Sequence, residues 1–398
     1  MTPRKIVLLM SFGWLVLTVL AGPEEACTTA VIRPEASADG RPMLWKNRDT
    51  DILSNKVVFV DEQPFQYIAL VNRGETSGRM VYAGLNDQGF AIMNSVAYNL
   101  EQKPEEFQDL EGQIMADALR TCRTVDDFAR YIGANLGESL GSRANFGVID
   151  ARGQAVIFEV HNHGVHRLDA AEAPGKYLVN TNFARSGEPD EGLGILRFER
   201  ATRLFARTEP GMISPSFIFR NLARDLGHVL LRHPTLRDLA DTPADPPLWI
   251  YYRDCINRPY TSASVVVNGR SPEGQGAPAT FWVILGEPVT SIAVPLWVES
   301  GSVPAPLWQG THAPITGESL RIKKLINPVD VPEKEYYMKV NRLVNREKTG
   351  FLPRILETER RIFQQTERFL RHRHTPAELA GFQDRMAQQA LAALAEIR

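Results

Sequence analysis

A layered α+β domain carrying helices at its C-terminal end is what this sequence predicts, and three observations predict it. Short β-branched and aromatic runs, broken by Gly, Pro, Asp and Asn, fill two blocks of the chain. Between them, from Glu111 to Leu136, apolar residues return at helical spacing, and beyond about Gly317 the composition shifts to charged helix formers. With 398 residues, 43% hydrophobic and 23% charged, the chain carries a sizeable core, which excludes disordered, collagen-like and coiled-coil readings of the whole. Against 47 acidic side chains stand 45 Lys and Arg, a net charge of −2, so no broad basic field favours nucleic acid as a partner.

The first segment is not part of that domain. Arg4 and Lys5 precede an apolar run from Ile6 to Ala21, the basic and apolar regions of a secretory signal, and the expectation is an exported, periplasmic or secreted protein. Val19-Leu20-Ala21 suits signal peptidase better than a cut after Ala26, where Glu24 stands in place of a small residue. The acidic stub Gly22–Ala26 then precedes Cys27. A rival reading keeps the segment as an anchor, or lipidates Cys27, and makes the chain an envelope protein that binds a partner through its C-terminal helices.

Strands follow in order: "TTAVIRP", "RPMLWKN", "KVVFV", "QYIALVN" and "RMVYAG", with Asp39-Gly40 as a hairpin signal between the first two and Asn86 to Gly89 punctuating the next pair. Ile114, Ala118 and Leu119 mark one helix, and Thr124 with Asp127 forms the capping box of a second. "ANFGVID", "AVIFEVHNHGVHRL" and "KYLVNTN" return to strand, Ser214-Pro215 opens another helix, and "SASVVVNG", "ATFWVIL" and "TSIAVPLWV" form a last strand group. "LETERRIFQQTERFLRHRH" and "AELAGFQDRMAQQALAALAEIR" read as amphipathic helices that pack on the domain or join copies of the chain into a homo-oligomer.

Three cysteines, Cys27, Cys122 and Cys255, are an odd number for an oxidising compartment. Cys122 and Cys255 could pair, and each could instead be a packed thiol or a nucleophile beside a histidine. Cys27 is the sharpest candidate, because processing makes it the first residue of the chain. An N-terminal cysteine brings its own base, an α-amine of pKa about 7.7 to 8.0 that takes the thiol proton directly or through one water. Position alone leaves a buried or bridged cysteine equally open. His161, His163 and His166 lie close in sequence, but a hairpin turn explains them better than a metal site, and no cofactor is implied.

"CTTAVI", then "GRPMLWKNRDTD", then "AGLNDQGFAIMNSV" resembles the N-terminal nucleophile cysteine hydrolases: the choloylglycine hydrolases, penicillin V acylases and the penicillin acyltransferase-like group. Asn47-Arg48-Asp49 places an Asp 22 positions after Cys27, Gly84-x-Asn86 leads through Gly89 to Asn94, and "TNFARSG" with "LRFER" extends the ordered match. Less specifically, "PYTSASVVVNG" resembles a late Thr-x-x-Ser strand of the acyltransferase-like branch.

The resemblance implies a four-layer αββα sandwich over residues 27–317, after a 1–26 signal and short propeptide and before a helical extension, 318–398. It implies cleavage of a linear amide, or acyl transfer, through a Cys27 thioester, with a small-molecule N-acyl amide as substrate. Asp49 is then the carboxylate that holds the α-amine, and Asn94 and Asn182 contribute to the oxyanion hole. Arg197 is the arginine beside the nucleophile, with Arg200, three positions on, as the slipped alternative. Lys46 stands where the bile-salt branch has Arg, and Arg48 where that branch is apolar, which argues against a bile-salt substrate. Trp45, Tyr82 and Phe183 are the expected pocket for an apolar acyl group, although aromatic residues on strands are more often core.

Overall fold

The computed structural model describes residues 26–101, 108–273, 276–327 and 334–398. The expected signal and its cleavage site at Ala21 lie outside the described residues, which begin at Ala26. Six strands come first: β1 (Ala26–Ile32), β2 (Met43–Asp49), β3 (Asn55–Val60), β4 (Tyr67–Asn72), β5 (Ala83–Asn86) and β6 (Ala91–Val96). Helices α1 (Glu111–Thr121) and α2 (Val125–Asn135) separate them from β7 (Arg143–Ile149), β8 (Ala155–His161), β9 (Gly164–Asp169) and β10 (Tyr177–Asn180). Then come α3 (Ile195–Ala206), a short α4 (Pro215–Phe217) running into a π-helical turn at Ile218–Ala223, and α5 (Leu236–Ala240). Strands β11 (Trp249–Tyr251), β12 (Thr261–Asn268), β13 (Thr280–Leu285) and β14 (Val294–Leu296) precede α6 (Pro314–Ile326), β15 (Tyr337–Lys339), α7 (Leu352–Phe369) and α8 (Pro376–Ala395).

The strands form two large antiparallel sheets, ordered β10-β1-β2-β12-β13-β14 and β3-β4-β5-β6-β7-β8-β9, and a small β11-β15 pair. The two large sheets stack face to face. A Cβ added to Gly147 on β7 would lie 3.0 Å from Val31 Cγ1 on β1 and collide with Met93, so a glycine is what lets the layers close there. Ile114, Leu119, Phe128 and Ile132 of α1 and α2 cover the outer face of the second sheet, packing on Ile92, Phe146 and Phe158. On the outer face of the first sheet Trp45 meets Phe205 of α3, and Trp282 stacks on Phe363 of α7 with ring centroids 4.1 Å apart. The architecture is an αββα sandwich.

Because both faces of each sheet are covered, the strands lack the polar–apolar alternation of a solvent-facing sheet, and β1, β2, β12 and β13 are buried at every position. The capping box at Thr124 and Asp127, the Ser214 cap and the tight turn at Asn86–Gly89 form as their chemistry predicts. Asp39-Gly40 does not close a two-residue hairpin; it sits in a longer connection that includes a 3₁₀ turn at Pro34–Ala36. The C-terminal helices share one core with the first sheet: Ile322, Ile355, Ile362, Phe382 and Met386 belong to the cluster that contains Val266 and Trp282. A buried bidentate pair ties α7 down, Arg224 donating to both Glu359 oxygens at 2.7 Å.

Candidate active site

Cys27 is the second residue of β1, an interior strand of the first sheet, and is 6% exposed. Its cross-strand partner on β2 is Arg48, so the two side chains share a face. Lys46, two residues back on that face, donates to Asn94 Oδ1 (2.7 Å) on β6 of the second sheet and to the carbonyl of Tyr82 (3.0 Å), just before β5. The face that carries Cys27, Lys46 and Arg48 is therefore the one between the sheets. Arg48 donates to Asn55 Oδ1 and to Asn72 Oδ1 (2.8 Å), and its guanidinium carbon lies 3.4 Å from the centre of the Tyr82 ring.

On the other side of Cys27, just past the end of β10, Asn182 accepts the Cys27 backbone N–H at 2.8 Å through Oδ1. Its Nδ2 donates to the Val96 carbonyl at the end of β6, which bridges the two sheets beside the nucleophile. Arg197, 2% exposed on α3, donates to the Cys27 carbonyl (2.5 Å), to Thr28 Oγ1 (3.0 Å) and to Asn182 Oδ1 (2.8 Å). Its neighbour Arg200 instead pairs with Asp225, at 2.8 and 2.7 Å, which separates the two alignments the sequence allowed.

Asp49 ends β2 opposite Ala26, one residue before the nucleophile. Thr261 Oγ1 donates to its Oδ1 at 2.8 Å, while Arg197 and Arg258 lie 3.8 and 3.9 Å from its Oδ2, which has no hydrogen-bond partner among the described residues. Burial raises the Asp49 pKa above 3.8, and Arg258, Arg197 and the Thr261 hydrogen bond pull it back down. Burial, with repulsion from Arg258, lowers Arg197 to about 10. The result is a buried carboxylate with one oxygen fixed and the other open, faced by two cations.

The structure thus gathers Cys27, Asp49, Asn182 and Arg197, and reaches Asn94 through Lys46. Tyr82 and Phe183 are half-buried nearby, Phe183 edge-on to Phe198 with centroids 5.0 Å apart. Trp45 is not at the site. It stands on the opposite face of β2 from Arg48, fully buried, its indole N–H shared between Asn47 Oδ1 and Ser264 Oγ, and it is core. Arg258 and Thr261 were not singled out from the sequence. Thr261 is the threonine of the Thr-x-x-Ser strand, a signal that had no role attached, whereas nothing local marks Arg258.

All three cysteines are free, and the Cys122–Cys255 pairing does not form, because the two thiols belong to different cores. Cys255 does lie 3.8 Å from His233 Nδ1, but it is fully buried, its Sγ donates to the Leu226 carbonyl, and burial pushes the thiol far up. Cys122 is likewise raised, to about 11. Neither is a poised nucleophile. His161 ends β8 and His163 lies in the β8–β9 turn, and among the described residues no three His, Cys, Asp or Glu side chains converge as metal ligands.

No family model matches the chain, and no curated protein matches it. Among solved structures it is similar to a Caenorhabditis elegans N-acylethanolamine-hydrolyzing acid amidase ortholog, 14% identical over 63% of this chain and 94% of that one, with a TM-score of 0.40. It is similar to a variant of conjugated bile acid hydrolase from Clostridium perfringens, 10% identical over 65% and 89%, TM-score 0.38. Penicillin V acylase from Agrobacterium tumefaciens is 14% identical over 68% and 86%, TM-score 0.39.

Proposed function

We propose that the chain is an exported amidohydrolase that cleaves a linear amide C–N bond through a thioester on Cys27, once removal of residues 1–26 has freed the Cys27 α-amine. The observation that carries this reading is buried Asp49, whose Oδ2 has no hydrogen-bond partner among the described residues and which stands in the sheet opposite Ala26, the residue before Cys27. Ala26, 3% exposed, lies against Asp49 in the sheet, and its release leaves a new ammonium or amine next to a carboxylate with an unused lone pair. A buried polar atom without a partner is costly, and such costs are retained where chemistry uses them.

The steps follow from the contacts. Asp49 holds the amine from one side and Asn182 Oδ1 from the other, 2.8 Å from that nitrogen. The amine takes the Sγ proton and the thiolate attacks the amide carbon. The ammonium then returns the proton to the leaving amine, and water, activated by the same amine, hydrolyses the thioester. Asn182 Nδ2, now on the Val96 carbonyl, is the side-chain donor within reach of the oxyanion, with the chain at Asn94 as the second wall. Losing one such donor costs about 10² to 10³ in rate. Arg197 fixes the nucleophile's own carbonyl and, with Arg258, opposes the rise in the Asp49 pKa that burial causes. Lys46 and Arg48 make one wall of the site cationic, and Tyr82 and Phe183 offer apolar surface to the acyl group. Arg4, Lys5 and the run to Ala21 support export.

Processed protein, its mass starting at Cys27, is expected to release amine from a member of a panel of N-acyl amino acids, acyl-homoserine lactones, penicillin V and bile-salt conjugates. Cys27→Ala should abolish that release. Turnover that survives Cys27→Ala, or a mature protein that keeps residues 1–26, contradicts the reading.

A further inference from the structure

The C-terminal helices have no counterpart in the sequence resemblance, yet one of them reaches the site. The turn Asn257–Thr261 delivers both Arg258 and Thr261 to Asp49. It closes on itself, Arg258 N–H donating to Thr261 Oγ1 at 3.0 Å and Thr261 N–H to the Arg258 carbonyl at 3.0 Å. From outside it is pinned twice: Asn257 Nδ2 donates to Glu287 Oε1 at 2.7 Å, and Lys323 Nζ, from α6, donates to the Pro259 carbonyl at 2.8 Å. Lys323 also donates to Glu287 Oε2, so one buried ion pair grips the turn at two points, its start and its middle. Glu287 is fully buried, and both its oxygens are taken by this network.

We propose that Lys323 and Glu287 are positioning residues of the site, holding the turn so that Arg258 and Thr261 meet Asp49. Desolvating an ammonium and a carboxylate together is expensive, and an apolar pair of similar volume does as well for stability alone. What the charged pair adds is direction. Each partner spends a second hydrogen bond on the turn, and Arg258 acts at 3.9 Å, a separation at which a small drift of the turn changes what Asp49 feels. Helix α6 is thereby part of the catalytic unit, not a cover.

The proposal rests on the amidohydrolase reading for its kinetic arm, so its test has a second arm that needs no substrate. In processed full-length protein, Lys323→Met is expected to lower kcat by about 10- to 100-fold with KM within about threefold, and Lys323→Arg to restore most of it. The double variant Glu287→Gln, Lys323→Met leaves no unpaired buried charge and should fold, as judged by near-UV circular dichroism, yet stay slow. Alkylation of Cys27 by iodoacetamide at pH 7, followed by peptide mass, should slow by about tenfold in Lys323→Met and recover in Lys323→Arg, because a displaced Arg258 disturbs the Asp49–amine pair. Wild-type alkylation rates in a folded double variant overturn the proposal, whatever the amide panel shows. A silent panel with the alkylation difference intact sinks the amidohydrolase reading and leaves the positioning role standing.

Discussion

Asp49 and Glu359 are two carboxylates buried on the helix side of the first sheet, and the protein treats them in opposite ways. Glu359 is closed: Arg224 grips both oxygens at 2.7 Å, and the Ala293 N–H adds a third bond at 2.9 Å. Asp49 is left open, with Thr261 on one oxygen and two guanidinium groups standing off the other at 3.8 and 3.9 Å. A carboxylate that only ties elements together is saturated, since any unmet lone pair is a cost. One that must receive a partner later is kept incomplete, with its charge supported from a distance. The difference separates structure from chemistry more sharply than burial does, because both groups are buried.

The comparison is sharpened most by Asp49→Asn. This change should lower kcat/KM by about 10³-fold or more, since the amine loses its acceptor and Arg197 and Arg258 their counter-ion, with the fold still present by circular dichroism. Loss of the fold in place of loss of rate would put Asp49 in the same class as Glu359. Glu359→Gln is the mirror experiment. It strands a buried Arg224 and should cost about 3 to 5 kcal/mol in denaturant unfolding, with kcat/KM at 25 °C within about threefold of wild type wherever the protein is folded.

Thr261→Val is the intermediate case. Removing one hydrogen bond costs about 1 kcal/mol of stability, and its effect on Asp49 has a definite sign. Burial already raises that carboxyl above 3.8 and Thr261 lowers it, so the variant's pKa rises further. Activity needs Asp49 ionised, so the acid limb of the kcat/KM profile moves to higher pH, and an unmoved limb would mean that Asp49 does not govern it. The smallest effect is expected from Arg200→Gln, which breaks the partly exposed pair with Asp225 and should leave kcat/KM within about twofold.

Much of this candidate site is legible in the sequence through the resemblance, which matches Cys27, Asp49, Asn94, Asn182 and Arg197 as an ordered series; spacing alone makes Asn94 and Asn182 turn residues. Trp45 misleads for a physical reason. It is expected in the pocket because it adjoins the motif residues in sequence, but alternate side chains of β2 take opposite faces, so Lys46 and Arg48 point between the sheets while Trp45 packs on Phe205 as core. Arg258 and Lys323 are invisible for another reason. They act on residues far away in the chain, through a turn whose own sequence, Asn257 to Thr261, is ordinary. The covered sheets also hide strand periodicity, which is why the layers follow from the ordered motifs and not from alternation. Cys122 and Cys255 invite pairing by count alone, and only the packing assigns them to separate cores.

The central claim, that Cys27 is a nucleophile served by its own amine, is tested most directly by trapping. Processed protein mixed with a substrate it turns over, quenched in acid within one turnover and digested, should carry the acyl mass on the peptide that begins at Cys27, in a hydroxylamine-sensitive linkage. Turnover with no adduct on that peptide, or an adduct on a peptide in which Ala26 still precedes Cys27, would contradict the account.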